Sequence, residues 1–240
     1  IKVFINDQLK IKKKLIFKLK NLNIKIINFD QVQSVSLVDR LILPLENKKN
    51  FLNSIEKKKL KNCLFGPSYI AVGKSKIKKR LRKKIKKILV IFGGSDTYNF
   101  SLKILKFLNT KKFETTVIFG PLVKKKKVSD KKIKTKFNVN DLFKEFYHND
   151  LLITGGGMIP YEAALTGLPS LIISTEKHEK KTGYFFEKEK CGKYLGHISQ
   201  KKFIFEKNID IQKLSRNCIS KIKPNGNNLI KKEILKLTKK

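Results

Sequence analysis

The chain has 240 residues, of which 40% are hydrophobic and 10% aromatic. This composition supports a sizeable core and excludes a disordered polyelectrolyte. The 56 Lys and Arg residues against 19 Asp and Glu give a net charge of +37, which is typical of a protein that binds nucleic acid or an acidic membrane. Only four of the basic residues are arginines, the side chain that phosphate-binding sites prefer, so we favour an A+T-rich genome as the cause and keep nucleic-acid binding as the alternative.

The cysteines and the apolar runs indicate the cellular compartment. Cys63, Cys191 and Cys218 are scattered, with no CxxC spacing, which predicts neither a disulfide framework nor a zinc site. No apolar run approaches the ~18 residues of a membrane span, and no signal peptide opens the sequence. We therefore predict a cytoplasmic protein, and we expect a fragment because the sequence starts at Ile1 inside a predicted strand.

The first block, residues 1–72, alternates strands with a helix. Strands are predicted at 2–5, 24–29 and 40–43, and NCLFG at 62–66 closes the block. Apolar residues at helical spacing among lysines predict an amphipathic helix over 8–21, with Asp7 as a candidate cap. These elements predict the remnant of an N-terminal Rossmann-like domain.

A basic linker is predicted at residues 73–87, which read GKSKIKKRLRKKIKK. Within the basic strip 76–87, Ile77, Leu81 and Ile85 recur at i, i+4 and i+8. On a helix this spacing forms one apolar stripe, which either contacts a membrane surface peripherally or packs on the adjoining domain. Both alternatives stay open at the level of the sequence.

In the second block, residues 88–222, the predicted strands and helices are more clearly delimited. Its predicted strands are 88–92, 113–120, 132–137, 151–154 and 169–174. Its predicted helices are 98–108, 140–149, a segment from Met158 to a stop at Gly167, 178–190 and 209–221, and a C-terminal helix follows within 223–240. Strands alternating with helices predict an α/β protein with a parallel, doubly wound sheet covered on both faces.

Two strands of the second block end in glycine clusters that lead into helices. The sequence reads GGSD at 93–96 and GGG at 155–157. In a parallel sheet such loops meet beyond the carboxyl ends of the strands, where glycines let a ligand approach and helix starts offer unpaired N–H groups to an anion. Core packing alone is an unconvincing reason for three successive glycines, so the pair of loops predicts a cradle for a diphosphate. Neither loop matches the Walker or GxGxxG pattern, so no dinucleotide cofactor is predicted.

Glu162 is the carboxylate that the pattern makes most informative. It lies one turn into the helix that follows the glycine triplet, beside two small alanines, and can accept hydrogen bonds from vicinal hydroxyls. His148 ends a short predicted helix and is expected at the surface, and His197 has no partner in the sequence. His178 follows strand 169–174 at the mouth of the same cleft, either as a ligand contact or as a solvated loop residue. No metal site and no Ser-His-Asp, HExxH or GxSxG arrangement is present in the sequence.

The stretches GGSDTYN and ITGGGMIPYEAALTGLPSLII resemble the C-terminal domain of nucleotide-sugar glycosyltransferases related to the peptidoglycan N-acetylglucosaminyltransferase. Within that group the chain looks most like the UDP-sugar hydrolases of pseudaminic acid synthesis and the spore-coat polysaccharide biosynthesis proteins. CLFGPSYIAVGKSK is similar to the segment that joins the domains of that family. The resemblance implies two Rossmann-like domains in a B-type glycosyltransferase fold, with the N-terminal domain incomplete.

By this resemblance the glycine loops hold the diphosphate of UDP, Glu162 binds the ribose hydroxyls, and the segment at 137–139 lies against uracil. The nucleotide-binding residues that it implies are Gly93, Gly94, Ser95, Phe137, Val139, Leu142, Gly155, Gly156, Gly157 and Glu162, with Asn138 between two of them. His178 and Glu179 are the candidates for sugar contacts. They stand with Glu176 and Lys177 where the family often has amides, so the sugar stays open.

The reaction that the resemblance implies is hydrolysis of a UDP-linked amino sugar to free sugar and UDP, in surface-polysaccharide or nonulosonic acid biosynthesis. The family places its catalytic histidine ahead of the region matched here, so we expect this chain to lack that base, and the catalytic residues are unassigned. The alternatives are a glycosyltransferase with a UDP-sugar donor, and a non-catalytic basic protein that binds nucleic acid. No cofactor is predicted, no specific nucleic-acid partner is favoured, and the oligomeric state is left open.

Overall fold

The structure is a computed structural model, and it divides the chain into two compact units. Residues 1–8, 11–45, 59–73, 77–108, 112–123, 130, 132–200, 202–203, 209–223 and 225–239 are described. The first unit consists of Ile1–Gly73 with Lys223–Lys240, and the second of Lys74–Ile222. The C-terminal segment therefore belongs with the first block of the chain.

The regular elements of the described ranges are named here in chain order. The strands are β1 Val3–Asn6, β2 Lys25–Phe29, β3 Arg40–Leu43, β4 Cys63–Phe65, β5 Lys87–Ile91, β6 Glu114–Phe119, β7 Ile133–Phe137, β8 Leu151–Thr154, β9 Ser170–Ser174 and β10 Gly192–His197. The helices are α1 Lys13–Asn21, α2 Phe100–Leu105, α3 Leu142–His148, α4 Ile159–Leu165, α5 Lys180–Lys188, α6 Ile211–Lys221 and α7 Gly226–Thr238.

The first unit is built on a parallel sheet in the order β1-β2-β3-β4. Ile16 of α1 is buried in one core cluster with Ile26 of β2 and Leu41 of β3. Helix α7 closes this unit: the Gly226 N–H donates to the Ile70 carbonyl at 3.2 Å, and Arg40 Nε lies 2.8 Å from Glu233 Oε2.

The second unit contains a parallel sheet in the order β10-β9-β8-β5-β6-β7. The strand order reverses between β5 and β8, which makes their carboxyl ends a topological switch point. Val90, Ile153 and Leu171 are buried on one face of this sheet, while Leu89 and Leu152 are buried on the other. Side chains buried on both faces are typical of a parallel sheet covered by helices, and the predicted doubly wound α/β class is confirmed.

Several predicted helices are shorter in the structure. Helix α1 begins at Lys13 rather than at residue 8, and its N-cap is Lys12, so Asp7 is not its cap; residues 9 and 10 of the predicted helix lie outside the described residues. The helix predicted over 98–108 corresponds to α2, which covers only Phe100–Leu105. It ends early because the chain continues in i to i+3 hydrogen bonds, such as the one from the Phe107 N–H to the Ile104 carbonyl. Strand β10, Gly192–His197, is absent from the strands predicted above.

No helix in the described ranges is long and apolar enough to cross a membrane.

The basic segment is not helical at residues 77–86. The Arg80 N–H donates to the Thr166 carbonyl at 2.9 Å, the Arg82 N–H to Ser215 Oγ at 3.0 Å, and Ile85 packs against the core of the second unit. Because these residues are not helical, the i, i+4, i+8 spacing does not form a stripe, and the helical interpretation of 77–86 is wrong; residues 74–76 of the predicted linker lie outside the described residues. The peripheral membrane contact itself stays a prediction.

Candidate functional site

Two adjoining cavities lie beyond the carboxyl ends of the strands at the switch point. The first, of about 410 Å³, is lined by residues of the loops after β5, β8 and β9. The second, of about 300 Å³, is lined by the loops after β6 and β7 and by the end of β5. Gly93, Gly94 and Ile159 line both cavities, so the two form one continuous candidate site.

The loop after β6 lies directly on the loop after β5. A β-carbon on residue 120 would lie 2.4 Å from Gly94 Cα and 2.6 Å from the Gly93 carbonyl oxygen, closer than real β-carbons approach. Only glycine at 120 permits this contact between the two loops. Gly120 was not among the predicted site residues, although it follows β6 as Gly93 follows β5.

The loop after β5 supplies hydrogen-bond acceptors to the first N–H groups of α2, the helix that follows it. Asp96 is buried, and its carboxylate accepts hydrogen bonds from the Phe100 N–H at 2.7 Å and the Ser101 N–H at 3.2 Å. The prediction that this helix start offers these N–H groups to an anion is therefore wrong, because a carboxylate already caps it. Ser95 Oγ and Thr97 Oγ1, 3.0 Å apart, present hydroxyls to the first cavity.

The glycine triplet after β8 has a packing role as well as an open face. Gly155 and Gly157 line the first cavity. A β-carbon on residue 156 would lie 2.4 Å from the Glu179 carbonyl oxygen, so close packing requires glycine there, contrary to our argument that packing alone was unconvincing. Thr154, at the end of β8, lines the cavity, and its buried Oγ1 has no hydrogen-bond partner among the described residues. Thr154 was not among the predicted site residues. The pattern that could have identified it is a hydroxyl residue at the end of an apolar strand, directly before the glycines.

The loop after β9 is rigidly hydrogen bonded. Glu179 Oε2 accepts from Thr175 N–H at 2.6 Å and from the Thr175 hydroxyl at 2.8 Å, and Glu176 and Glu179 cap one another's backbone N–H groups. The Tyr98 hydroxyl donates to Glu176 Oε1 at 3.0 Å and so joins the loops after β5 and β9. Glu179 lines the first cavity, whereas His178 is exposed and lines neither.

The remaining predicted residues divide between the second cavity and its surroundings. Asn138, Val139 and Leu142 line the second cavity. The Phe137 ring instead stacks on the Phe119 ring, with centroids 5.0 Å apart, and lines neither cavity. Phe137 is the last residue of β7, whereas Asn138, Val139 and Leu142 lie beyond the end of that strand, where ligands of parallel sheets bind.

Glu162 is half-buried on α4 and lines neither cavity. Within the described part of the chain its carboxylate accepts no hydrogen bond, and burial raises its pKa above the ordinary value. Ile159, which lines both cavities, precedes it by three residues, so the two side chains share a helix face. A buried carboxylate without a donor is costly unless a ligand supplies one.

The first cavity is acidic although the protein is strongly basic. Asp96, Glu176 and Glu179 line it, and no Lys, Arg or His among the described residues does. No group of three or more His, Cys, Asp or Glu in the described ranges could hold a metal ion. The chemistry available to a ligand here is thus backbone N–H groups, hydroxyls and carboxylates.

No family model matches the chain. It is 30% identical over 189 residues to the uncharacterized protein MJ1062 of Methanocaldococcus jannaschii, a match that covers 63% of this chain and 38% of that protein. The chain therefore spans well under half the length of this curated relative.

Solved structures share the fold at low sequence identity. Acinetobacter baumannii MurG superposes with a TM-score of 0.60 at 12% identity, covering 92% of this chain and 70% of that one. UDP-GlcNAc 2-epimerase from Neisseria meningitidis bound to UDP-GlcNAc gives 0.57 at 11% identity, covering 98% and 76%. The glycotransferase of kitacinnamycin gives 0.57 at 13% identity, covering 96% and 75%. These likenesses confirm the predicted two-unit Rossmann-like fold of the B-type glycosyltransferases.

Proposed function

We propose that this protein binds a UDP-sugar across the two cavities and is an enzyme that transfers the sugar. The observation that carries the proposal is the position of two adjoining cavities at the switch point of a doubly wound sheet, where such folds bind their ligands. Structures of the same fold support it, since the Neisseria meningitidis epimerase structure holds UDP-GlcNAc and another is the glycotransferase of kitacinnamycin.

The lining of each cavity suits a different part of this ligand. The second cavity has apolar walls at Ile118, Val139 and Leu142, which suit a uracil ring. The first has glycines whose backbone N–H groups can approach a diphosphate, and hydroxyls and carboxylates that can bind the hydroxyls of a sugar. Glu162, on the helix that borders both, is assigned to the ribose hydroxyls because its half-buried carboxylate has no donor among the described residues.

The reaction proposed first is transfer of the sugar from UDP to an acceptor hydroxyl. The bond between the anomeric carbon and the β-phosphate oxygen breaks, the acceptor oxygen bonds to that carbon, the acceptor hydroxyl loses its proton to solvent, and UDP leaves. Backbone N–H groups of the glycine loops stabilise charge that develops on the departing diphosphate. Hydrolysis, with water as acceptor, is the second candidate and rests on the resemblance to UDP-sugar hydrolases; stoichiometric free sugar and UDP from the protein without an acceptor would favour it.

The ribose assignment is tested by calorimetric titration of UDP and 2′-deoxy-UDP into the wild type and Glu162→Gln. Loss of a charged hydrogen bond should weaken UDP binding by about tenfold. The wild type should likewise bind 2′-deoxy-UDP about tenfold more weakly than UDP. Glu162→Gln should bind the two nucleotides with equal affinity. Glu187→Gln, an exposed change on α5, is the matched control. The absence of UDP and UDP-GlcNAc binding by the wild type would overturn the proposed function.

Stability provides an independent readout of the same variant. Because burial raises the pKa of Glu162, ionising it costs folding free energy above the ordinary glutamate pKa of ~4.3. We expect Glu162→Gln to raise the melting temperature at pH 7 and to lose that advantage as the pH falls below 4, where the wild-type carboxyl is protonated in both states. A lower melting temperature at pH 7 would assign Glu162 to the fold instead.

A further inference from the structure

The acidic lining of the first cavity conflicts with its proposed anionic ligand. Asp96 is neutralised in part by the N–H groups of α2, and Glu176 accepts a hydrogen bond from the Tyr98 hydroxyl. Glu179 is the carboxylate that approaches the glycine triplet. Its position therefore decides how much negative charge a diphosphate meets there.

The carboxylate of Glu179 is held against the glycine loop. Its Oε2 is fixed by the Thr175 N–H and hydroxyl and by the Glu176 N–H at 3.3 Å. Its Oε1 lies 3.4 Å from the β-carbon position of Gly155 and 3.9 Å from that of Gly157. Because the donors hold Oε2, the charge cannot leave the loop without breaking this set of hydrogen bonds.

We propose that Glu179 is a specificity-determining residue that makes the site favour a UDP-sugar over free UDP. The inference rests on the proposed function. A terminal phosphate has a second pKa near ~6, so free UDP carries an additional charge at neutral pH that the sugar ester lacks. Like charges at close range inside a cleft repel strongly, so Glu179 penalises that additional charge. Its effect is to weaken product binding and speed the release of UDP.

The experiment compares UDP, UDP-GlcNAc and the β-methyl ester of UDP, which has the charge of the sugar nucleotide without the sugar. Glu179→Gln keeps an acceptor oxygen for the Thr175 and Glu176 donors, since glutamine also serves in a capping box. Glu114→Gln is the charge-matched control, because Glu114 is exposed at the amino end of β6.

In the wild type we expect the methyl ester to bind more tightly than UDP. Glu179→Gln should tighten UDP by about tenfold and the two esters by less than about threefold, while Glu114→Gln should shift all three equally. Equal changes for all three ligands in Glu179→Gln, or a loss confined to UDP-GlcNAc, would overturn the inference and leave the proposed function standing. If no ligand binds any of these proteins, the proposed function fails and the inference with it.

Discussion

Arg82 is fully buried, and oxygens of the main chain hold its guanidinium. Burial and the neighbouring charge of Arg80 lower its pKa to about 9, so it stays protonated at pH 7. All of its acceptors except the Arg80 carbonyl lie at the carboxyl ends of α3 and α4, where the helix dipole favours a cation. The acceptors are the carbonyls of Arg80, Phe146, Tyr147, Asn149 and Thr166 and the Thr166 hydroxyl. This residue anchors the basic segment to the second unit.

Arg82→Met should lower the free energy of unfolding by at least about 3 kcal/mol, because several buried carbonyls lose their donor at once. Arg216→Met, an exposed change on α6, should stay within about 0.5 kcal/mol. Urea denaturation of both variants measures the difference. Equal effects would show that the bonds of Arg82 contribute no net stability.

The burial of Arg82 was beyond sequence reasoning. A run of lysines and arginines predicts a solvated segment, and nothing local distinguishes Arg82 from Lys83 or Lys84, which are exposed. Its acceptors at residues 146–166 are more than sixty positions away, so only the folded chain brings them together. Glu162, in contrast, was singled out from its position one turn after the glycine triplet.

At the scale of elements, the site exists because parallel strands end at one edge of the sheet. The loops after β5 and β8 were predicted to meet because glycine clusters follow apolar strands at both places. The contact of Gly120 with Gly94 and that of Gly156 with Glu179 were not predicted. They depend on which strands are neighbours, and the strand order reverses at β5.

Gly120→Ala tests whether the contact between the loops after β5 and β6 shapes the site. The added methyl overlaps the Gly94 backbone, so we expect a loss of about 1–3 kcal/mol in unfolding free energy together with weaker UDP binding. Gly73→Ala is the control, because a β-carbon there meets nothing within 4 Å. Unchanged UDP affinity in Gly120→Ala would mean that the two loops can separate without affecting the ligand.

At the scale of the whole molecule, the net charge of +37 and the candidate site are separate features. The first cavity is acidic, whereas Arg80, Lys86 and Lys87 line another cavity, of about 240 Å³, at the amino end of β5, where Asp150 pairs with Arg80 at 2.9 Å. Charge of this kind attracts polyanions without a shaped site. The nucleic-acid alternative therefore concerns a different surface from the proposed UDP-sugar site.

Duplex DNA should bind this protein weakly and lose about a thousandfold in affinity between 50 and 200 mM salt, as expected for several phosphate contacts. Saturating DNA should leave the affinity for UDP unchanged within about threefold. Competitive titration at 50 mM salt measures both effects. Displacement of UDP by DNA would indicate a shared site and would support the hypothesis that the protein binds nucleic acid there.

The α/β class, most element positions in the second unit and the two glycine loops that line the first cavity could be predicted from the sequence alone. These follow from hydrophobic periodicity and from glycines at strand ends, which are local properties of the chain. The contact of Glu179 with Gly155 and the burial of Arg82 could be seen only in the folded chain. Both pair residues that are far apart in sequence, and which residues meet depends on the order of the strands and the packing of the helices, so local patterns do not predict them.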